Sequence, residues 1–337
     1  MEKNMITIAH GSGGTATSRL IEQTFKKHFK NDILSQGDDS ARLDIGDARN
    51  LVFTTDSFVV TPIFFNGGNI GKLAVCGTVN DLATSGAKPL YLSCGFIIEE
   101  GFSMDELERI VETMSATADE CGVKIVTGDT KVVQKGAADK IFINTSGIGV
   151  IPDGLDISGR NAKVGDKIII SGTIGDHGSS IFLERESMGF NADIKSDCAP
   201  LSGMVQDILS VVPDVHVLRD PTRGGVATTL NEIAVQSNVS ILIREDSLPV
   251  KREVQGVCEL LGMDPLYMAN EGKMLCFVSE DKAEKVIEVL HKNKYGKDAK
   301  IIGEVTQEGQ PKVMLKALSG GNRIIGVLAG DQLPRIC

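Results

Sequence analysis

The chain has 337 residues, 35 Lys and Arg against 45 Asp and Glu, and a formal net charge of −10. A chain this acidic is a poor wrapper of nucleic acid or of an anionic membrane surface, so any polyanionic partner is expected to be small and metal-complexed. With 42% hydrophobic residues, no tryptophan and 37 glycines, above the usual share of about 7%, it reads as a globular α/β protein rich in tight turns, large enough for two domains.

The N-terminal half opens on the Gly-rich run His10-Gly11-Ser12-Gly13-Gly14-Thr15, followed by an amphipathic helix around Arg19 to Phe29. Leu51 to Asp56 reads as a strand, and Ile70 to Ser85 as a helix with Asn69 near its start. Met104 to Cys121 is the clearest helix. Apolar Leu107, Ile110, Val111, Met114 and Ala118 recur at helical spacing, a Ser103-x-x-Glu106 capping box precedes them, and Gly122 stops the run. Strands are expected at Val123 to Thr127 and Ile141 to Val150, and the turn Ile151-Pro152-Asp153-Gly154 closes a first domain, residues 1–154.

The second half alternates strand and helix. Strands at Lys167 to Ser171, Val239 to Arg244, Met274 to Ser279, Ile301 to Val305 and Val313 to Leu315 are interleaved with helices at Met204 to Val212, Gly225 to Gln236, Lys251 to Leu261 and Lys282 to Lys292. This pattern predicts an α/β sandwich over residues 155–318. Residues 319–337 are Gly-rich without clear periodicity and read as a mobile tail that ends on Cys337. Seven cysteines, at 76, 94, 121, 198, 258, 276 and 337, form no CxxC spacing, so reduced thiols and a cytoplasmic setting are expected. Neither a signal peptide nor a membrane span is read from the sequence.

Chemistry concentrates in aspartates placed beside glycine or small residues: Gly37-Asp38-Asp39-Ser40, Thr55-Asp56-Ser57, Asn80-Asp81-Leu82 and Gly128-Asp129-Thr130-Lys131. Each alone is a turn residue or helix cap as readily as a ligand. Together, Asp38, Asp39, Asp56, Asp81 and Asp129 suit Mg2+, a hard ion that takes a few carboxylates and leaves positions for phosphate. The backbone amides of Gly11, Gly13 and Gly14 are candidates to cradle the phosphates of a metal-bound nucleotide. The run Gly67-Gly68-Asn69-Ile70-Gly71-Lys72-Leu73 is too short for a P-loop and lacks its Ser or Thr.

The ordered set GDDSA, TTDSF, NDLATSGAKP and GDTK, followed by Arg219-Asp220-Pro221-Thr222-Arg223-Gly224-Gly225, resembles the ATP-using superfamily of aminoimidazole ribonucleotide synthetase, selenophosphate synthetase and thiamine-monophosphate kinase. The Gly11 to Thr15 stretch lacks the cysteine or selenocysteine of the selenophosphate branch. Ala9-His10-Gly11-Ser12-Gly13-Gly14, Ala269-Asn270-Glu271-Gly272-Lys273 and Pro334-Arg335-Ile336-Cys337 instead resemble the HypE family, carbamoyl dehydratases that mature nickel–iron hydrogenases. The resemblance implies a two-domain PurM-like fold whose N-terminal sheets form a barrel-like core in a homodimer, with ATP and Mg2+ as cofactors. It further implies a HypF-like carbamoyltransferase that loads Cys337, and a HypC–HypD-like iron scaffold that accepts cyanide.

On this reading Cys337 carries a carbamoyl group that ATP-driven dehydration turns into a thiocyanate. Lys131 would steady a phosphate or oxyanion and Glu271 would take the amide proton, although either residue is open as the base. His10 and Arg223 are candidate substrate-side contacts; a histidine beside a Gly-rich turn is equally readable as a cap or hydrogen-bonding residue, and the same holds for His177 in Gly175-Asp176-His177-Gly178. Two other functions stay open from the residues alone: an ATP-dependent phosphotransferase or synthetase acting on a free small molecule, and a non-catalytic ATP sensor with a docking tail.

Overall fold

The computed structural model describes residues 5–11, 15–35, 46, 50–186, 193–327 and 335–337. Helical turns come first: α1 (Thr15–Leu20), a π-helical turn Ile21–Phe25, α2 (Lys26–His28) and α3 (Asp32–Ser35). They are followed by β1 (Leu51–Phe58), the ribbon β2 (Phe64–Phe65) and β3 (Gly68–Asn69), α4 (Ile70–Thr84), β4 (Lys88–Glu99), α5 (Met104–Cys121), β5 (Lys124–Val133) and β6 (Ile141–Val150).

These strands form a sheet in the order β1-β6-β4-β5, antiparallel except for the β4–β5 pair. On one face Leu92, Cys94, Phe96, Ile98, Ile141 and Ile143 pack with Leu73 and Cys76 of α4 and with Leu107, Ile110, Val111 and Met114 of α5 in a single apolar core. Among the described residues no long helix packs on the other face. Register places Phe53, Ser93, Ile97, Phe142, Asn144 and Ile148 there, and Phe53 is 67% exposed. β4 is the strand that the periodicity above did not single out, although alternate residues from Leu92 to Ile98 are buried. Its Pro89 sits at the strand start beside a bulge, where the missing amide costs no ladder bond.

The second unit runs β7 (Lys167–Ile170), α6 (Asp176–Glu186), α7 (Ser202–Val211), β8 (Val217–Arg219), α8 (Gly225–Ser237), β9 (Val239–Arg244), α9 (Arg252–Leu261), β10 (Leu275–Val278), α10 (Glu280–Lys292), β11 (Lys300–Glu308), β12 (Lys312–Lys316) and β13 (Asn322–Ile325). Its sheet has the order β13-β12-β9-β11-β7-β10-β8. Strand alternation divides the side chains between two layers. Ile168 and Ile170 pack with Val226, Leu230 and Ile233 of α8, while Ile169 packs with Met204 and Ile208 of α7 and Val286 of α10. A sandwich with helices on both faces results, as the alternating pattern predicted.

One local expectation is corrected. Residues 319–337 are not a tail throughout, because Asn322–Ile325 pairs with β12 as the edge strand β13, a pairing that four residues of weak pattern could not announce. The segment around His177, to which the pattern above gave no element, is a helix start. α6 buries its first two turns on every side, so it shows little amphipathic signal. Among the described residues, no helix is long and apolar enough to cross a membrane.

Candidate active site

The seam between the two units carries a cleft of about 500 Å3 lined by Thr54, Asp81, Arg219, Asp220, Thr222 and Arg223, among others. Asp81 reaches it because α4 is started by Asn69, whose side chain caps the amides of Gly71 and Lys72, so that the third turn passes under β1. Thr54 Oγ1 donates to Asp81 Oδ2 at 2.9 Å. Asp56, two residues on, lies on the same helix-side face; a Cβ at Gly77 of α4 would come within 3.7 Å of its Oδ2. The strand and helix approach this closely because Gly77 has no side chain to collide with Phe58.

The negative charge here is only partly offset by Arg219 and Arg223, which line the same cleft. Burial raises the pKa values of Asp56 and Asp81, with Arg223 opposing the rise at Asp56 and Thr54 opposing it at Asp81. Asp220 is pushed up to about 7, by burial first and then by Asp81. These oxygens make a donor set that a hard divalent cation fits, because its charge would relieve the repulsion that burial has concentrated. Among the described residues, however, no three His, Cys, Asp or Glu side chains are grouped closely enough to hold a metal unaided. Phosphate oxygens and water would complete its shell.

Asp129 and Lys131 lie elsewhere. On β5 they register with Gly95 and Ile97, on the open face opposite Asp56 and Asp81. Lys131 Nζ is 2.8 Å from Asp129 Oδ2, and the two side chains are 64% and 68% exposed. The lysine holds the Asp129 carboxyl below its usual range. His10 sits in the turn Ile8–Gly11, which packs on β5, and its Nδ1 accepts from the amide of Thr7 at 3.1 Å. Within one chain, then, His10, Gly11, Asp129 and Lys131 share one neighbourhood, and Asp56, Asp81 and Arg223 share another. Gly13, Gly14, Asp38 and Asp39 lie outside the described residues.

Glu271 is buried and its Oε1 has no hydrogen-bond partner among the described residues. Burial, then Cys198 and the carboxylates of Asp197, Asp220 and Asp56, drive its pKa well above the usual range. Lys273, a plausible counterion from sequence, pairs instead with Asp197 at 3.3 Å. Asp197 Oδ1 accepts from the Glu271 amide at 3.1 Å, and Asn80 of α4 donates to the carbonyls of Ala199 and Glu271. Gly272 permits this fold of the chain, since a Cβ there would lie 1.8 Å from the Asp197 carbonyl oxygen.

The last three residues dock nearby. Ile336 is buried in the N-terminal core, and half-exposed Cys337 packs against that core. The amides of Val59 and Thr61, just past β1, donate to the carbonyls of Cys337 and Arg335 at 3.0 and 3.2 Å. Arg335 adopts φ 55°, ion-pairs with Asp139 at 2.5 Å and donates to the Val59 carbonyl. Two site carboxylates were not among the candidates above: Asp220, although it stands in the Arg219-to-Gly225 motif, and Asp197, which nothing local marks.

Comparison with known proteins covers both units. The N-terminal domain of AIR synthase related proteins matches residues 37–151, and their C-terminal domain matches 163–316. The carbamoyl dehydratase HypE of Azotobacter vinelandii is 48% identical over 337 residues, spanning 100% of this chain and 98% of that one. The crystal structure of the hydrogenase maturation protein HypE in complex with ATP superposes with a TM-score of 0.95 at 50% identity, covering 98% of this chain and 99% of that one. A chain of the HypE–HypF complex superposes with a TM-score of 0.80 at 51% identity, covering 92% and 99%.

Proposed function

The chain belongs to the HypE family of carbamoyl dehydratases, and from that premise we propose that it dehydrates a carbamoyl group carried on its own Cys337, with ATP as the driving cosubstrate. The observation that carries this reading is the docked tail: the Ile336 carbonyl beside Cys337 is bonded to His177, His177 to Ser196, and the next residue, Asp197, holds the backbone amide of the buried Glu271.

A thiocarbamate does not lose water unaided, because its carbonyl oxygen leaves poorly and its N–H is weakly acidic. Phosphorylating the oxygen makes it a leaving group, and removing the N–H protons lets the C≡N bond form as phosphate departs. We assign proton removal to Glu271 through its unengaged Oε1: burial destabilises its anion, so once ionised it is a strong base. Lys131 is assigned to the phosphate or the developing oxyanion, and His10 and Arg223 to the substrate side. The products are a cysteine thiocyanate, ADP and phosphate.

Asp56 and Asp81 are assigned to Mg2+, joined by Asp129, Asp38 and Asp39, and Gly11, Gly13 and Gly14 to nucleotide phosphates. When bound, Mg2+ would neutralise charge on the phosphoryl group being transferred. Because Asp129 and Lys131 stand on the opposite sheet face from Asp56 and Asp81, a common nucleotide site calls for a second copy of the chain. The open face, with Leu51, Phe53 and Ile97 exposed, supports a homodimer joined there. We assign nucleotide binding and dimerisation to residues 1–154 and the α/β body to 155–318. The partners are a HypF-like carbamoyltransferase and a HypC–HypD-like iron scaffold that accepts the cyanide. The seven cysteines, none of which is in a disulfide, support a cytoplasmic setting.

The test is to load Cys337 with the cognate carbamoyltransferase and carbamoyl phosphate, add MgATP and follow the intact mass. Loss of one water from the loaded chain, absent in Cys337→Ala, is expected. ATP hydrolysis that ignores removal of Cys337, with no change in mass, would identify an enzyme of free small molecules instead. Binding without turnover would identify a sensor.

A further inference from the structure

His177, at the start of α6, is fully buried, with the Phe65 ring edge-on to it at a centroid distance of 5.6 Å. Its Nε2 lies 2.7 Å from the carbonyl oxygen of Ile336, and its Nδ1 lies 2.8 Å from Ser196 Oγ. A carbonyl only accepts, so Nε2 carries the proton. In a neutral ring Nδ1 is then the acceptor, and the Ser196 hydroxyl donates to it. Ser196 Oγ in turn accepts from the amide of Cys198 at 3.1 Å. One tautomer satisfies all of these partners. Burial, above all, keeps the ring neutral.

The ring therefore joins two things that must meet. On one side is the peptide that precedes Cys337. On the other is the Ser196-to-Cys198 turn, whose Asp197 holds the amide of Glu271. Arg185, also on α6, adds bonds to the carbonyls of Arg335 and Thr61. With the carbonyls of residues 335, 336 and 337 all engaged, the peptide plane leading into Cys337 is fixed, and so is the direction of its Cβ.

We propose that His177 is the positioning residue for Cys337: its Nε2–H grips the Ile336 carbonyl, seats the tail and sets the carried group against Glu271. The inference rests on Cys337 being the carrier. It adds that tail docking is read by one buried donor, which is left without its partner when the tail departs to be loaded or unloaded.

The experiment uses the full chain with two readouts: alkylation of Cys337 by iodoacetamide, located by peptide mass, and single-turnover dehydration of the carbamoylated protein at saturating MgATP. His177→Phe keeps a ring and removes the donor, whereas His177→Gln keeps an N–H near the place of Nε2–H. In His177→Phe the dehydration rate should fall by about 10- to 100-fold and alkylation should accelerate by about 10-fold, with half-saturating ATP unchanged, while His177→Gln recovers most of both. A structural role alone would weaken ATP binding as well and would show no rescue. Should His177→Phe fail to fold, Ser196→Ala leaves the ring and removes the donor that fixes its tautomer; a slower dehydration by about 3- to 10-fold is expected. Rates in either variant within about 2-fold of wild type, or His177→Gln as slow as His177→Phe, would overturn the proposal. A wild-type chain that alkylates slowly but never loses water would overturn the carrier reading and leave the seat standing.

Discussion

Proton removal from a weakly acidic amide favours a base that is badly solvated as an anion, which is the condition burial imposes on Glu271. Glu271→Gln keeps the size and removes the base, so dehydration should fall by roughly 10²- to 10⁴-fold while ATP binding, read by calorimetry, is retained. His177 gives a second residue-scale expectation, in stability. Burial lowers its folded pKa below the ordinary 6.5, and Arg185 acts the same way, whereas Asp197 and the Ile336 carbonyl oppose them. The unfolded chain thus binds this proton at a higher pH than the folded one. Stability from the neutral ring is complete above pH 6.5 and is lost as pH falls below it. His177→Gln should therefore gain on wild type in melting temperature as pH is lowered from 7.5 to 5. A constant difference across that range would mean that the ring is not buried neutral. The motifs made Glu271, Asp56 and Asp81 legible as residue types beside small neighbours. They did not make legible that Glu271 would stand without a counterion, since Lys273 is two residues away and turns to Asp197.

Elements were most readable where the signal is local. α5 has Ser103 Oγ accepting from the Glu106 amide and Gly122 at φ 69°, as its capping box and stop glycine predicted. Ser103→Ala should cost about 1 kcal/mol of stability, seen as a lower urea midpoint with unchanged slope. α6 and β13 were unreadable for opposite reasons: the first two turns of α6 are buried on every side and so show no amphipathic stripe, while β13 is held by its neighbour β12 and not by its own pattern. β4 carried a legible alternation from Leu92 to Ile98, but its first residues fall in the NDLATSGAKP motif and were not read as a strand.

At the scale of the molecule, the four-stranded sheet has one face sealed by α4 and α5 and one face open. Ile97→Asp, placed beside Lys131 on the open face, should convert a dimer to a monomer in sedimentation and lower dehydration with it, while leaving the fold intact. A dimer that persists in this variant would locate the contact elsewhere. The chain's composition, its helix caps, its strand alternation and the order of its acidic motifs follow from residues close in sequence, so the two α/β units and the family were determined by the sequence alone. The sidedness of the aspartates was not. It depends on strand register, including a bulge between Leu92 and Ser93 on the β4–β5 pair, which only pairing across the sheet can set. The raised pKa values of Glu271 and Asp220 and the seat of Cys337 against His177 were likewise decided by tertiary structure. Burial and hydrogen bonding between residues as far apart as His177 and Ile336, 159 positions, are properties of packing, and no local run of the chain encodes them.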